Sequence, residues 1–324
     1  MVIAPKEASE FVELADVLED RTEASAEPVP FTIAAGSVLG THHRQLGLNN
    51  QDAWGWEQGS WGTIAVVCDG CGSTPHSEVG AQVGVRFCLQ SLRESLQRGE
   101  DPTESWFWGN LHDRLLHKLG QFARSLSGGT LEGESLDINT FSILRDYCLF
   151  TILGAVITPT VTSIFGLGDG VYALNGVVQV LKNSPENSWV HSLNNAPPYL
   201  AYGLLNPRPS YFSSKELQIR VYQQCPTAAV NALFVGTDGV MDLQAVAAQC
   251  LPGKSEPVGD LAQFWQTDRY FTNPDAVRRR LALINREVTQ PDWQQRQLQK
   301  NRGLLPDDTT FICLRRGAIE SYLT

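Results

Sequence analysis

From residue 31 onward the chain falls into short apolar runs separated by turn residues. Residues 31–35 alternate apolar and polar as a strand does. Residues 53–57 and 61–68 read as two strands folded about Gln58-Gly59-Ser60, a pairing that brings Asp52 and Asp69 to the same open end. The period then lengthens, and residues 77–98 and 104–127 carry apolar positions at helical spacing, followed by a polar loop to residue 139. A second hairpin joins 149–157 to 161–167 through Thr158-Pro159-Thr160. Gly168-Asp169-Gly170 leads into 171–174, and Asn175-Gly176 makes a tight turn into 177–181. Two continuous apolar strands, 232–236 and 309–314, end and begin next to Asp238 and Asp307, which share an edge if the strands are antiparallel neighbours. Helices are expected between them, at 240–249, 257–267 and 274–287. Hairpins with helices grouped between them indicate an α+β fold of stacked antiparallel sheets covered by helices.

Outside this pattern, residues 1–30 are rich in Glu, Ala and Ser and close on Pro28 and Pro30. Phe11, Leu14, Val17 and Leu18 fall at helical spacing, so the segment reads as an acidic tail or loosely docked helix. Residues 31–318 then form a single domain with a helical insertion at about 240–306, and 319–324 are a short C-terminal tail.

The charge balance narrows the function. Against 25 basic residues stand 35 acidic ones, a formal −10, which opposes a nucleic-acid partner because phosphate neutralisation needs clustered cations. The basic runs at 278–280 and 315–316 are short and read as a solvated helix face and a strand end. No stretch reaches the roughly 18 apolar residues of a membrane span, and no basic start precedes an apolar block as in a secretory signal. Seven cysteines, an odd number, fit reduced thiols and a cytoplasmic location.

Four aspartates at strand ends carry the chemistry: Asp52 in Asn50-Gln51-Asp52, Asp69 in Cys68-Asp69-Gly70-Cys71, Asp238 in Thr237-Asp238-Gly239, and Asp307 in Asp307-Asp308-Thr309-Thr310. Carboxylates gathered at one sheet edge repel one another unless a cation joins them, and hard oxygen ligands suit Mg²⁺ or Mn²⁺. Asp-Gly after a strand fixes the carboxylate, and the glycine permits a turn that leaves its carbonyl open to a metal. Each motif alone is ordinary turn chemistry; together they point to a metal-dependent hydrolase.

In order, Asn-Gln-Asp, Val-Cys-Asp-Gly-Cys-Gly, Gly-Leu-Gly-Asp-Gly-Val-Tyr, Gly-Thr-Asp-Gly-Val and Asp-Asp-Thr-Thr resemble the motifs of the metal-dependent protein phosphatases (protein phosphatase 2C-like), from about residue 40 to 314. The resemblance implies a central antiparallel β-sandwich flanked by helices in four layers, αββα. It implies two Mn²⁺ or Mg²⁺ ions per chain with room for a third, and hydrolysis of phosphoserine and phosphothreonine in a phosphorylated protein, within a cognate kinase system. By position, Asp69 bridges the two metals, the Gly70 carbonyl binds one, Asp238 and Asp307 complete the other, and Asp52 holds or orients water. Asp146, five residues before Thr151, stands where members carry an aspartate for a third metal.

The chain also departs from that pattern. The phosphate-gripping arginine expected five residues before Asp52 is Gly47, and Arg44 is the nearest substitute. Cys71 occupies the place of a histidine that acts as general acid, for which His43 and His76 are stand-ins. Cys68-x-x-Cys71 invites a redox reading, though it lies in a strand and turn rather than at a helix start. Trp106 and Trp108 are read as packing anchors. The competing functions are a pseudophosphatase that binds phosphoproteins without hydrolysing them and a phosphoesterase for small molecules.

Overall fold

The computed structural model describes residues 31–128, 137–181, 196–209 and 212–317. The strands are β1 (Phe31–Val38), β2 (Asp52–Gly59), β3 (Gly62–Asp69), β4 (Ile152–Ile157), β5 (Val161–Leu167), β6 (Gly170–Leu174), β7 (Val177–Leu181), β8 (Arg220–Pro226), β9 (Ala232–Gly236), β10 (Val288–Asp292), β11 (Gln297–Asn301) and β12 (Thr309–Arg316). The helices are α1 (Thr41–Leu46), α2 (Ser77–Gln97), α3 (Ser105–Ser127), α4 (Ile138–Tyr147), α5 (Val240–Ala245), α6 (Gln263–Gln266), α7 (Arg269–Thr272) and α8 (Ala276–Ile284).

Two five-stranded sheets, ordered β1-β12-β9-β6-β7 and β2-β3-β4-β5-β8, hold every long strand, and all pairings are antiparallel. Central strands are apolar on both faces because both faces are covered. On β3, Ile64, Val66 and Cys68 pack toward α2 and α3, while Ala65 and Val67 join Leu153, Val235 and Ile312 between the sheets. On β12, Phe311 and Cys313 face the helices that follow β9, while Ile312 and Leu314 enter the inter-sheet core. Three apolar cores therefore separate four layers, and the fold is the expected αββα sandwich.

The helices dock by the same logic. Ala81, Val85, Cys88, Leu92 and Leu96 of α2 recur every three or four residues and bury one stripe on the β2–β3 hairpin. Trp108 of α3 is buried, with its indole N–H donating to the Pro102 carbonyl at 2.9 Å, while Trp106 is exposed. On the other face, Phe311 stacks on Phe234 at 4.8 Å and meets Phe264 at 4.6 Å, tying α6 to its sheet. Burial of a side chain of that size contributes about 1.5–3 kcal/mol.

Several local expectations change. The polar loop to residue 139 gives way to α4, whose Asp137 side chain accepts from the Thr140 N–H at 2.7 Å and so caps the helix, while Phe141, Leu144 and Tyr147 turn toward the core. The 240–306 region is not wholly helical. Its helices shrink to short pieces broken at Gly253 and Gly259, which adopt φ of 73° and 83°, and β10 and β11 add a separate hairpin. Arg280 is not on a solvated face: it is buried against the Glu256 carboxylate at 2.5 Å and the Val258 carbonyl at 2.8 Å. The proposed helix at residues 1–30 and the tail at 319–324 lie outside the described residues.

The close seat of α2 can be tested at Gly80, where an added Cβ would sit 1.9 Å from the Tyr147 carbonyl oxygen. Helix propensity alone favours Gly→Ala by about 1 kcal/mol. Gly80→Ala is nevertheless expected to destabilise the fold, by about 1–3 kcal/mol of overpacking, in a urea titration. Stabilisation in that measurement would mean that α2 and α4 do not approach this closely.

Candidate metal centre

The register of two strand pairs assembles the site. In β2–β3, Asp52 lies directly opposite Asp69. In β9–β12, Gly236 lies opposite Phe311, which places Asp238, just past one strand, beside Asp307, just before the other. Asp169 sits in the bend between β5 and β6. All these strand ends open onto one cavity of about 570 Å³. Its lining includes Asp69, Gly70, Asp169, Asp238, Asp242 and Asp307, and no lysine or arginine is among the described lining residues.

Short bonds hold the carboxylates of Asp52, Asp307 and Asp308 and the backbone around Asp69 in place. Asp52 is buried beneath the cavity floor and accepts from the Thr237 hydroxyl at 2.8 Å, a bond that joins the two sheets. The Asp69 carbonyl accepts from the Thr151 N–H at 2.8 Å, and the Gly70 N–H donates to the Gln51 carbonyl at 3.1 Å. Asp307 accepts from the Asp308 N–H at 2.8 Å. Asp308 is buried and faces inward, accepting from the backbone N–H groups of Gly40 at 2.7 Å and Gln51 at 2.6 Å.

The electrostatics are those of crowded like charges. Burial first, and then Asp52 and Asp238, push the Asp69 carboxyl well above the usual range. Burial and the neighbouring Asp308 do the same to Asp52. Asp307 and Asp242 are also raised, each by burial and then by Asp238. A carboxylate cluster of this kind, with no lysine or arginine among the described lining residues, fits divalent cations, and its carboxylate and carbonyl oxygens fit Mg²⁺ or Mn²⁺.

The structure brings together Asp52, Asp69, Gly70, Asp238 and Asp307, but not Arg44 or Asp146. Arg44 donates to the backbone carbonyls of Asn285 at 3.0 Å and Leu39 at 3.3 Å, and it does not line the cavity. Asp146, at the end of α4, accepts from the neighbouring Arg145 guanidinium at 2.8 Å, also away from the cavity walls. Asp169 and Asp242 were given no role by the sequence. The first stands inside a recognised motif, and the second follows Asp238 by one helical turn, a spacing that places both at one end of α5. Cys68 is fully buried and its thiol is pushed far up by burial, which keeps it protonated and unreactive, while Cys71 lies at the cavity with Sγ 3.2 Å from the Ser73 hydroxyl.

A family model described as protein phosphatase 2C matches residues 39–269. The chain belongs to the protein phosphatase 2C family. Asp307 lies beyond the matched residues, and β12 brings it back to the other three aspartates. Among solved structures this family member is similar to a bacterial serine phosphatase at 15% identity and a TM-score of 0.46, over 89% of this chain and 98% of that one. It is similar to the serine/threonine phosphatase Stp1 from Staphylococcus aureus at 14% identity and 0.44, over 89% and 96%. It is also similar to the catalytic domain of the serine/threonine protein phosphatase PstP in complex with two manganese ions, at 12% identity and 0.46, over 88% and 97%. No curated protein matches it in sequence. Among the described residues no helix is long and apolar enough to cross a membrane.

The crowded carboxylates predict an inverse relation between charge and metal-free stability. A carboxyl whose folded pKa is raised binds a proton in the folded state that the unfolded state releases. Stability then falls as pH rises from the ordinary carboxylate range through the raised folded values. In EDTA, Tm is expected to fall with rising pH over that window. Asp69→Asn in EDTA at neutral pH is expected to melt a few degrees higher than the parent, the size of a gain of ~1 kcal/mol in a large domain. Mn²⁺ should raise the parent's Tm and leave the variant's much less changed. A variant that melts lower than the parent in EDTA would show that the cluster is not under repulsion.

Proposed function

We propose that this family member is a metal-dependent phosphatase of phosphoserine and phosphothreonine in proteins. The observation that carries the reading is the convergence of Asp69, Asp238 and Asp307 on one open cavity, with Asp52 buried opposite Asp69 and no lysine or arginine among the described lining residues. Asp69, the Gly70 carbonyl, Asp238 and Asp307 are the residues that hold Mn²⁺ or Mg²⁺, and Asp52 holds or orients water below them. Two such ions supply a deprotonated water near neutral pH and positive charge for the phosphoryl oxygens.

The chain's own residues do the rest. Thr237 fixes the Asp52 carboxylate, so the lower part of the site does not reorganise when a substrate arrives. The turn at Gly70 leaves the backbone open to the cavity, and the 570 Å³ volume admits a phosphorylated side chain with its flanking backbone. Arg44 is engaged with two backbone carbonyls, so the phosphoryl group is positioned mainly by the cations. A third cation belongs with Asp169 and Asp242, which flank Asp238, rather than with Asp146. The phosphoprotein partner comes from the cavity's openness to a chain rather than a free metabolite.

The test is hydrolysis of p-nitrophenyl phosphate and a phosphothreonine peptide with Mn²⁺, Mg²⁺ or EDTA. Turnover is expected with either metal and is expected to vanish in EDTA. Asp69→Ala and Asp238→Ala should each lower it by ~10²-fold or more, since even residues that merely support metal ligands cost 10–100-fold when removed. Folded parent protein without turnover in any metal would move the reading to a phosphoprotein-binding pseudophosphatase.

A further inference from the structure

The cavity has two imidazoles on its wall that the metal centre does not use, the exposed His42 and the buried His43, and of the two it is His43 that a buried carboxylate, Asp308, holds by a hydrogen bond. We propose that His43 protonates the departing serine or threonine oxygen and that Asp308 is its positioning residue; this rests on the hydrolase reading above.

The geometry begins at Asp308. Its Oδ1 accepts from the Gly40 N–H at 2.7 Å, and its Oδ2 accepts from the Gln51 N–H at 2.6 Å and bonds His43 Nδ1 at 2.9 Å. Ligand atoms of His43, Asp307 and Asp308 lie within 4.8 Å of one another, yet both Asp308 oxygens are taken by protein donors. The trio is therefore not a cation site. The bond to Asp308 instead fixes which way the ring faces, with Nδ1 inward.

The other ring nitrogen looks the opposite way. His43 is only 7% exposed, but it lines the cavity. Its Nε2 lies 3.8 Å from the point where a Cβ on Gly72 would stand, and Gly72 lines the same cavity. Gln51 Oε1 is also 3.8 Å from that point, and it is buried without a hydrogen-bond partner. The absent side chain at Gly72 thus leaves a spot flanked by Nε2 and an unpartnered amide oxygen. A hydroxyl product placed there can receive the proton from Nε2, while the buried Gln51 oxygen backs the same spot. The two residues nearest in role are otherwise accounted for: Cys71 fills the place of the usual histidine, and Arg44 is bonded to backbone carbonyls.

The step balances. As the phosphorus–oxygen bond breaks, its electron pair stays on the seryl or threonyl oxygen, and the Nε2 proton moves to that oxygen. The ring is left neutral, with Nδ1–H on the Asp308 carboxylate. The attacking water supplies the fourth oxygen of inorganic phosphate with one of its protons; its other proton leaves to solvent, and a solvent proton entering through the open cavity restores the imidazolium.

Leaving-group dependence separates this role from phosphate binding or folding. p-Nitrophenolate departs without a proton, whereas an alkoxide does not. With Mn²⁺, His43→Gln is expected to lower kcat/KM for a phosphothreonine peptide by about 10²-fold or more, with a far smaller loss on p-nitrophenyl phosphate. Asp308→Asn should shift the same ratio in the same direction by less. An unchanged ratio in His43→Gln, whether both activities fall together or neither does, overturns the role. A second measurement needs no variant: across aryl phosphates of rising phenol pKa, the parent should lose rate only shallowly, and a steep loss overturns the role. Absence of parent turnover on p-nitrophenyl phosphate with any metal overturns the hydrolase reading itself, whereas turnover with an unchanged ratio removes only His43.

Discussion

Mutual repulsion among half-buried carboxylates is the constraint around which this molecule is built. Asp69 feels Asp52, Asp238 and Asp169, and Asp238 in turn presses on Asp242 and Asp307. A chain would relieve that strain by letting the loops drift apart. The fold prevents it by hanging each aspartate on the end of a strand whose other residues are locked in the core. Cys68 and Val67 are anchored before Asp69, Val235 before Asp238, and Phe311 and Ile312 after Asp307. Hydrophobic burial along the strands offsets the electrostatic cost at their tips, and the charge density that results is of the kind that divalent cations neutralise.

Much of this was legible in the sequence because it depends on local rules. The β2–β3 hairpin follows from alternation about a short turn, and its register alone sets Asp52 against Asp69. Asn175, with φ of 51°, and Gly176, with φ of 87°, make the tight turn that the dipeptide announces. The continuous apolar runs ending at Gly236 and beginning at Thr309 read as central strands, and their pairing carries Asp307 to the site.

What stayed hidden depends on tertiary contact. β8 is an edge strand with half-exposed residues, and the β10–β11 ribbon exposes both faces, so neither shows an apolar period. α4 is only ten residues long, and its Asp137 cap and its short stripe of Phe141, Leu144 and Tyr147 stand directly after a polar stretch that masks its start. Arg44 and Asp146 were chosen for chemistry at a sequence distance from a motif, and that distance does not say which way a side chain turns. Arg44 turns to carbonyls of the segment after α8, some 240 residues away in sequence. Asp308 and Asp307 are neighbours of identical chemistry, yet one faces the cavity and the other ties Gly40, His43 and Gln51 to β12.

The division of the aspartates between the sheets has a mechanical consequence. Asp52 and Asp69 belong to one sheet, Asp238 and Asp307 to the other, and the Thr237–Asp52 bond crosses between them. The spacing of the ligands is thus set by the thickness and sliding of the layer formed by Ala65, Val67, Leu153, Val235 and Ile312. That layer works as the jaw setting of a calliper. A change in side-chain bulk there, far from any carboxylate, alters the distance between the tips, so under the proposed metal-binding reading cation affinity becomes a gauge of how the two sheets are seated.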